Sequence, residues 1–197
     1  MISSLSAEEY FASLFPINTQ RDDFLQSLHS IFFSNKPQSE KYIYYWLGSG
    51  SNGKSSLLHL LHAAFDNKCI QGGNFKDIGE VINTDTQLIS SHETSNFDIH
   101  TIKSLMSDAP FTFNKRYQGS LTINPKCSIV FVVNDMTDPN NVINRASTKD
   151  DYSFSCRFKT FCFSQQFQGG QLDIMHLAND QTFLYDVREY IKNYISY

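Results

Sequence analysis

The sequence predicts an α/β fold, with a mainly parallel central sheet flanked by helices, a small helical leader before it and a helix after it. Three observations carry this. Short apolar runs alternate with helical stretches: "YIYYWL" (42–47), "TQLISS" (86–91), "CSIVFVV" (127–133) and "FKTFCF" (158–163). These runs lack strict polar–apolar alternation, as expected of strands buried on both faces. A glycine-rich turn, "GSGSNGKSS" (48–56), is bracketed by the first run and by the helical stretch "KSSLLHLLHAAF", a strand–turn–helix unit of the kind such sheets are built from.

The elements follow in order. "SAEEYFASLF" opens with Ser6 and has Glu9 three residues on, the pattern of a capping box, and Pro16 follows it. "TQRDDFLQSLHSIFF" sets Phe24, Leu25, Leu28, Ile31 and Phe32 on one helical face. "SNKPQSEK" is a polar connector. Another helix is expected near "FDIHTIKSLM", and "NDQTFLYDVREYIKNYI" closes the chain with a stripe of Phe183, Leu184, Val187, Tyr190, Ile191 and Tyr194. The chain therefore divides into a helical leader (1–35), an α/β core (36–165) and a C-terminal helical segment (166–197).

Composition narrows the function classes. The chain has 197 residues, 41% of them hydrophobic and 18% charged, an ordinary globular balance with enough apolar matter for a core. No stretch approaches the ~20 apolar residues of a membrane span. "MISSLSAEEYF" has no basic region followed by an apolar core, so it does not read as a signal peptide. Cys69, Cys127, Cys156 and Cys162 show no CxxC spacing and read as buried free thiols. A net charge of −4 means that any nucleic-acid binding must come from a local patch.

The turn itself satisfies G-x-x-x-x-G-K-[ST] through Gly48, Gly53, Lys54 and Ser55. Glycines let the backbone wrap its N–H groups around phosphates, and a helix N-terminus adds a favourable dipole. The turn therefore reads as a nucleotide site. Gly48, Ser49, Gly50, Ser51, Asn52, Gly53, Lys54, Ser55 and Ser56 would cradle ATP, Lys54 would reach the β- and γ-phosphates, and Ser55 would ligate Mg²⁺.

Binding becomes hydrolysis only with further groups. "TQLISSHET" ends in Glu93, placed to polarise a water or to hold Mg²⁺, with Asp85 as the rival carboxylate before the same strand. Asn134 follows the third run, at the strand end where open α/β sheets bind ligands. Residues 101–130 carry Lys103, Lys115, Arg116 and Lys126 against Asp108 alone, a local +3. Within them "FTFNKRYQGSLTINP" suits a hairpin with Lys115 and Arg116 near its tip, and with Tyr117 these could follow a phosphodiester backbone and stack on a base. Arg157 opens the last run and could act as an arginine finger.

In this order the motifs resemble those of the superfamily 3 helicases of DNA viruses and phages, an AAA+ branch of P-loop NTPases. The likeness is greatest to the helicase part of poxvirus-like and phage primase-helicases, and it covers roughly residues 22–165. "GSGSNGKSS" resembles the phosphate loop of that group, "LISSHET" its acidic motif, "IKSLMSD" with "NKRYQ" its hairpin motif, "IVFVVND" its sensor motif and "RFKTFCF" its arginine-finger strand. The resemblance implies an ATP-dependent helicase that works as a homo-hexamer on single-stranded DNA. It also implies virus encoding, a site of action inside the host cell, and a primase either fused to the same protein or acting as a partner. Lys54, Glu93, Asn134 and Arg157 would then be the catalytic set, with Arg157 acting in trans. Lys115, Arg116 and Tyr117 would contact DNA. Cys156 stands where many relatives have a second arginine. A ring-forming assembly or genome-packaging ATPase that does not unwind is the alternative, and a small-molecule P-loop kinase the third reading.

Overall fold

The structure, a computed structural model, describes residues 5–34, 41–72, 78–92, 99–107, 109–115, 119–124, 126–134, 156–167 and 174–194. Its centre is a five-stranded parallel sheet of β1 (Ile43–Leu47), β2 (Cys69–Gln71), β3 (Leu88–Ser91), β6 (Ser128–Val133) and β7 (Phe158–Cys162), in the order β2-β3-β6-β1-β7. β6 lies between β1 and β3, so the strand after the hairpin separates the phosphate-loop strand from the acidic-motif strand. The register pairs Leu47 with both Val133 and Cys162, which aligns the C-terminal ends of β1, β6 and β7.

Successive residues of a strand face opposite sides, and both sides of this sheet are apolar. Tyr44, Trp46, Val130 and Val132 point to one face, which is covered by α1 (Ala7–Leu14), α2 (Asn18–Phe32), α3 (Lys54–Phe65) and α7 (Gln181–Lys192). Ile43, Tyr45, Ile129, Phe131 and Val133 point to the other, beneath the short α4 (Ile78–Val81), α5 (Ile99–Met106) and the hairpin strands β4 (Phe111–Lys115) and β5 (Gly119–Ile123). A four-residue helix, α6 (Ile174–Leu177), precedes α7. Double burial explains why the runs of β1, β3 and β6 show no alternation in the sequence, whereas β7, at the sheet edge, is only partly covered. The expected strands and the expected helical stretches are all present, and the α/β expectation holds. The sequence reading missed β2, α4 and α6, which are too short to show a period.

The N-terminal helices share the aromatic core of the sheet. Phe24 of α2 lies 5.5 Å from Trp46, 5.0 Å from Phe161 and 4.6 Å from Phe15, ring centre to ring centre. The capping box forms as expected, with Ser6 Oγ accepting from Glu9 N at 3.2 Å and Glu9 Oε2 accepting from Ser6 N at 2.9 Å. Asp186 of α7 accepts a further first-turn donor of α1, Ala7 N, at 2.7 Å. The four thiols are free, but Cys156 and Cys162 are exposed. Buried thiols were expected there; β7 is an edge strand and Cys156 lies in the turn before it, so neither is covered.

Candidate functional site

The phosphate loop hangs between two parallel neighbours. Gly48 N donates to Val133 O at 3.3 Å, and Phe163 N donates to Leu47 O at 2.7 Å, so the loop leaves the sheet beside the ends of β6 and β7. Ser51 and Gly53 adopt left-handed φ values of 60° and 82°, and alternating hand turns backbone N–H groups into an anion-binding concavity. Gly53 is also the N-cap of α3 and provides no side-chain hydrogen bond. The first-turn N–H groups of this 12-residue helix thus have no side-chain cap to occupy them, the arrangement that favours a phosphate.

Lys54 is 3% exposed, and its ammonium donates to Gly48 O at 2.5 Å, Asn52 Oδ1 at 2.8 Å and Ser49 O at 3.3 Å. Burial pulls its pKa below the usual lysine value. Asn52, equally buried, donates through Nδ2 to Phe163 O at 3.2 Å. The segment after β7 runs along the outside of the loop: Phe167 N donates to Ser51 O at 2.8 Å, and Gln166 Nε2 donates to Ser49 Oγ at 3.2 Å. Ser55 is exposed on the first turn of α3 beside Lys54, and Ser56 is half-buried. A hydroxyl there is a hard oxygen donor of the kind Mg²⁺ accepts, so Ser55 suits the ion.

The topology sorts the other predicted residues by sheet edge. Asn134 directly follows Val133, whose carbonyl receives Gly48 N, so it lies at the same edge as the loop and is exposed. β3 ends at this edge with Ser91. Glu93 itself lies outside the described residues, as do Arg116, Tyr117 and the side chain of Lys115. Asp85, the rival carboxylate, precedes β3 and is exposed at the opposite edge, in a turn where its N–H donates to Asn83 Oδ1 at 2.8 Å. It is therefore out of the contest for the loop.

Arg157 is also at that opposite edge. Its carbonyl accepts from Ile43 N at 2.8 Å, and its guanidinium donates to Met106 O at the end of α5. A five-residue strand rises roughly 16 Å, so Arg157 does not reach the loop of its own chain. The end of α5 is held by a second cation as well. Lys41, only 5% exposed, donates to Leu105 O at 3.2 Å and Ser107 O at 2.7 Å. Cations suit the negative end of a helix dipole. Sequence reasoning missed Lys41, because a lysine just before an apolar run carries no sign of burial.

The hairpin forms where expected. β4 and β5 pair antiparallel, with Lys115 opposite Gly119. Thr112, Asn114, Ser120 and Thr122 make an exposed polar face, and the two threonine hydroxyls are 2.9 Å apart. Phe111, Phe113 and Ile123 face the core. Phe113 seats on Gly79 of α4, where a Cβ would meet its ring at 2.7 Å.

One histidine ties α3 to β3. His62 Nε2 lies 2.8 Å from Ser90 Oγ, which itself donates to Ile70 O, so the ring nitrogen is the donor of that pair. Burial, followed by the neighbouring His59 and His92, lowers the His62 pKa below 6.5. Between the folded pKa and 6.5 the unfolded chain holds the extra proton, so stability rises with pH across that window. Urea melts should therefore show stability falling as pH drops below 6.5 and levelling once folded His62 also protonates. His62→Gln keeps a donor for Ser90 and should flatten that part of the profile; an unchanged slope would refute the assignment.

No protein-family model and no curated protein sequence matches the chain. Solved structures do. An apo structure of the NrS-1 C-terminal region superposes with a TM-score of 0.65 at 15% identity, covering 97% of this chain and 44% of that one. A second A-form apo structure of the same region gives a TM-score of 0.67 at 15% identity, with 95% and 44% covered. The JCV helicase, bound to a phenoxyphenyl acetamide compound, superposes with a TM-score of 0.52 at 12% identity, covering 96% of this chain and 51% of that one. The chain thus spans about half the length of these structures or somewhat less. It has a P-loop NTPase fold, and it shares that fold with a helicase.

Proposed function

We propose that the chain is the motor core of a superfamily 3 helicase of the AAA+ branch, an ATPase that moves single-stranded DNA through a homo-hexameric ring in viral replication. The observation that carries this is the division of residues between sheet edges. The loop, Asn134 and the end of β3 lie at one edge, and Arg157 lies at the other. In this reading the loop and Asn134 belong to one chain's hydrolytic site, and Arg157 serves the site of a neighbouring copy.

In this reading the loop N–H groups and the α3 N-terminus hold the phosphates of ATP, and Lys54 turns its ammonium onto the β- and γ-phosphate oxygens. Ser55 and Glu93 would hold Mg²⁺, which when bound would supply neutralising charge to the phosphates. Glu93 polarises the attacking water, and Asn134 orients it from the end of β6. Arg157 of the adjacent copy leaves Met106 O and stabilises the charge on the transferred phosphoryl group. Lys115, Arg116 and Tyr117 contact the DNA. A primase, fused or separate, would complete the replication unit, which acts inside the infected cell.

The test is ATP hydrolysis measured against protein concentration, with and without single-stranded DNA. Activity should rise more steeply than linearly and be stimulated by DNA. The double substitution Lys115→Gln/Arg116→Gln should remove the stimulation and leave basal hydrolysis in place. A steep concentration dependence indifferent to DNA would favour the ring-assembly or packaging ATPase. Constant specific activity indifferent to DNA would defeat both ring readings and leave a self-contained nucleotide enzyme.

A further inference from the structure

Lys54 has three ammonium protons and three acceptors, and their geometry distinguishes them. Gly48 O and Ser49 O belong to the loop backbone, and Ser49 O, at 3.3 Å, makes the longest of the contacts. Asn52 Oδ1, at 2.8 Å, belongs to a side chain that is itself held from behind by Phe163 O at 3.2 Å. The two contacts of Asn52 fix its amide orientation independently, since the nitrogen must donate to a carbonyl and the oxygen must accept from an ammonium. Asn52 is 3% exposed, so solvent has little access to either partner. To meet a phosphate, Nζ must release at least one acceptor, and the longest contact gives way first. Asn52 is the acceptor whose anchor lies outside the loop.

We infer that Asn52 is a positioning residue: it holds the Lys54 ammonium in the loop through nucleotide binding and ties it to the end of β7 at Phe163. This rests on the phosphate-loop reading of the site and deepens it. A neutral amide suits the task, because it accepts from the lysine without cancelling the charge that the phosphates need. A carboxylate in its place would pair with Lys54, repel the nucleotide and face Phe163 O without a proton to donate. The contact also gives the post-β7 segment a direct hold on the central cation of the loop.

The experiment is a double-mutant cycle on the full chain, with Mg·ATP affinity measured by calorimetry and a thermal melt for each variant. Asn52→Ala should weaken binding roughly tenfold, as expected for losing one hydrogen bond to a charged group. Lys54→Met should weaken it further, and the double variant should bind no worse than Lys54→Met alone. A role in packing would instead lower affinity equally on both backgrounds. Should Asn52→Ala melt far below the wild type, the isosteric Asn52→Asp replaces it, and that variant should bind Mg·ATP more than tenfold more weakly than the wild type. Wild-type affinity in either Asn52 variant, or additive losses in the cycle, would overturn the inference while leaving the loop reading intact. Wild-type affinity in Lys54→Met would overturn the loop reading, and the inference with it.

Discussion

Arg157→Ala is expected to lower ATP hydrolysis by about 10³-fold, the scale on which an arginine finger acts, and to leave nucleotide affinity unchanged. The reason is positional. The residue lies at the sheet edge away from its own loop, with its guanidinium on Met106 O, so it cannot touch a nucleotide bound by the same chain. Losing one hydrogen bond from a charged donor costs about 1.5–3 kcal/mol of stability, which in a fold of ordinary stability leaves nearly all of the chain folded and cannot mimic a catalytic loss of that size. Complementation separates the two. Arg157→Ala and Lys54→Met should each be inactive alone, whereas a mixture should recover hydrolysis at interfaces that pair an intact Lys54 with an intact Arg157. A mixture as inactive as its components, with both folded and assembled, would rule out the shared site. Arg157→Lys should not rescue, because an ammonium lacks the planar fork of the guanidinium.

The second large effect lies in the glycines of the loop, which are not equivalent. A Cβ on Gly48 would meet Asn52 Nδ2 at 2.2 Å and Phe163 O at 2.5 Å, one of them backbone. A Cβ on Gly53 would meet Leu14 at 2.6 Å, on a residue whose φ of 82° already disfavours any side chain. Gly50 has nothing within 4 Å and no left-handed φ. Gly48→Ala and Gly53→Ala should therefore each lose measurable Mg·ATP binding and destabilise the fold by about 1–3 kcal/mol. Gly50→Ala should behave as wild type in both respects. Equal tolerance of all three, read by calorimetry and denaturant melts, would show that the loop does not hold this shape.

Gly53 also shows how the N-terminal helices bear on the site. Leu14 of α1 packs where a side chain on Gly53 would go, and Phe167 crowds the same place from the post-β7 segment, 3.2 Å from that Cβ position. Residues called a leader from their helical periodicity thus press on the phosphate loop. Periodicity identified the helices and their buried stripes, and Phe24, Leu25, Leu28, Ile31 and Phe32 are all buried. It could not identify what they are buried against, because an apolar stripe is compatible with any apolar partner.

The candidate site divides in the same way. The glycine loop was legible because strand, turn and helix are contiguous and the motif spans a few residues, whereas the contacts that crowd Gly48 and Gly53 come in part from the distant Phe163, Leu14 and Phe167. Asn134 was legible because the end of an apolar run marks a sheet edge. The choice between Glu93 and Asp85 was not, since both flank one strand, and only the direction of β3 in a parallel sheet shows Asp85 to be at the far edge. The occupation of Arg157 by Met106 O, the burial of Lys41 against α5 and the bridge from Lys54 through Asn52 to Phe163 join residues 51, 64 and 111 positions apart.

By itself, then, the sequence determined the α/β class, the longer strand and helix segments, the hairpin and the phosphate loop. Each of these depends on neighbours within one or two turns of chain, and so on periodicity and backbone freedom. The tertiary structure alone decided the strand order, which catalytic candidates share an edge with the loop, and which side chains hold the loop in shape. Those depend on pairings between distant strands, where many registers satisfy the same apolar pattern and only simultaneous packing of both sheet faces selects one.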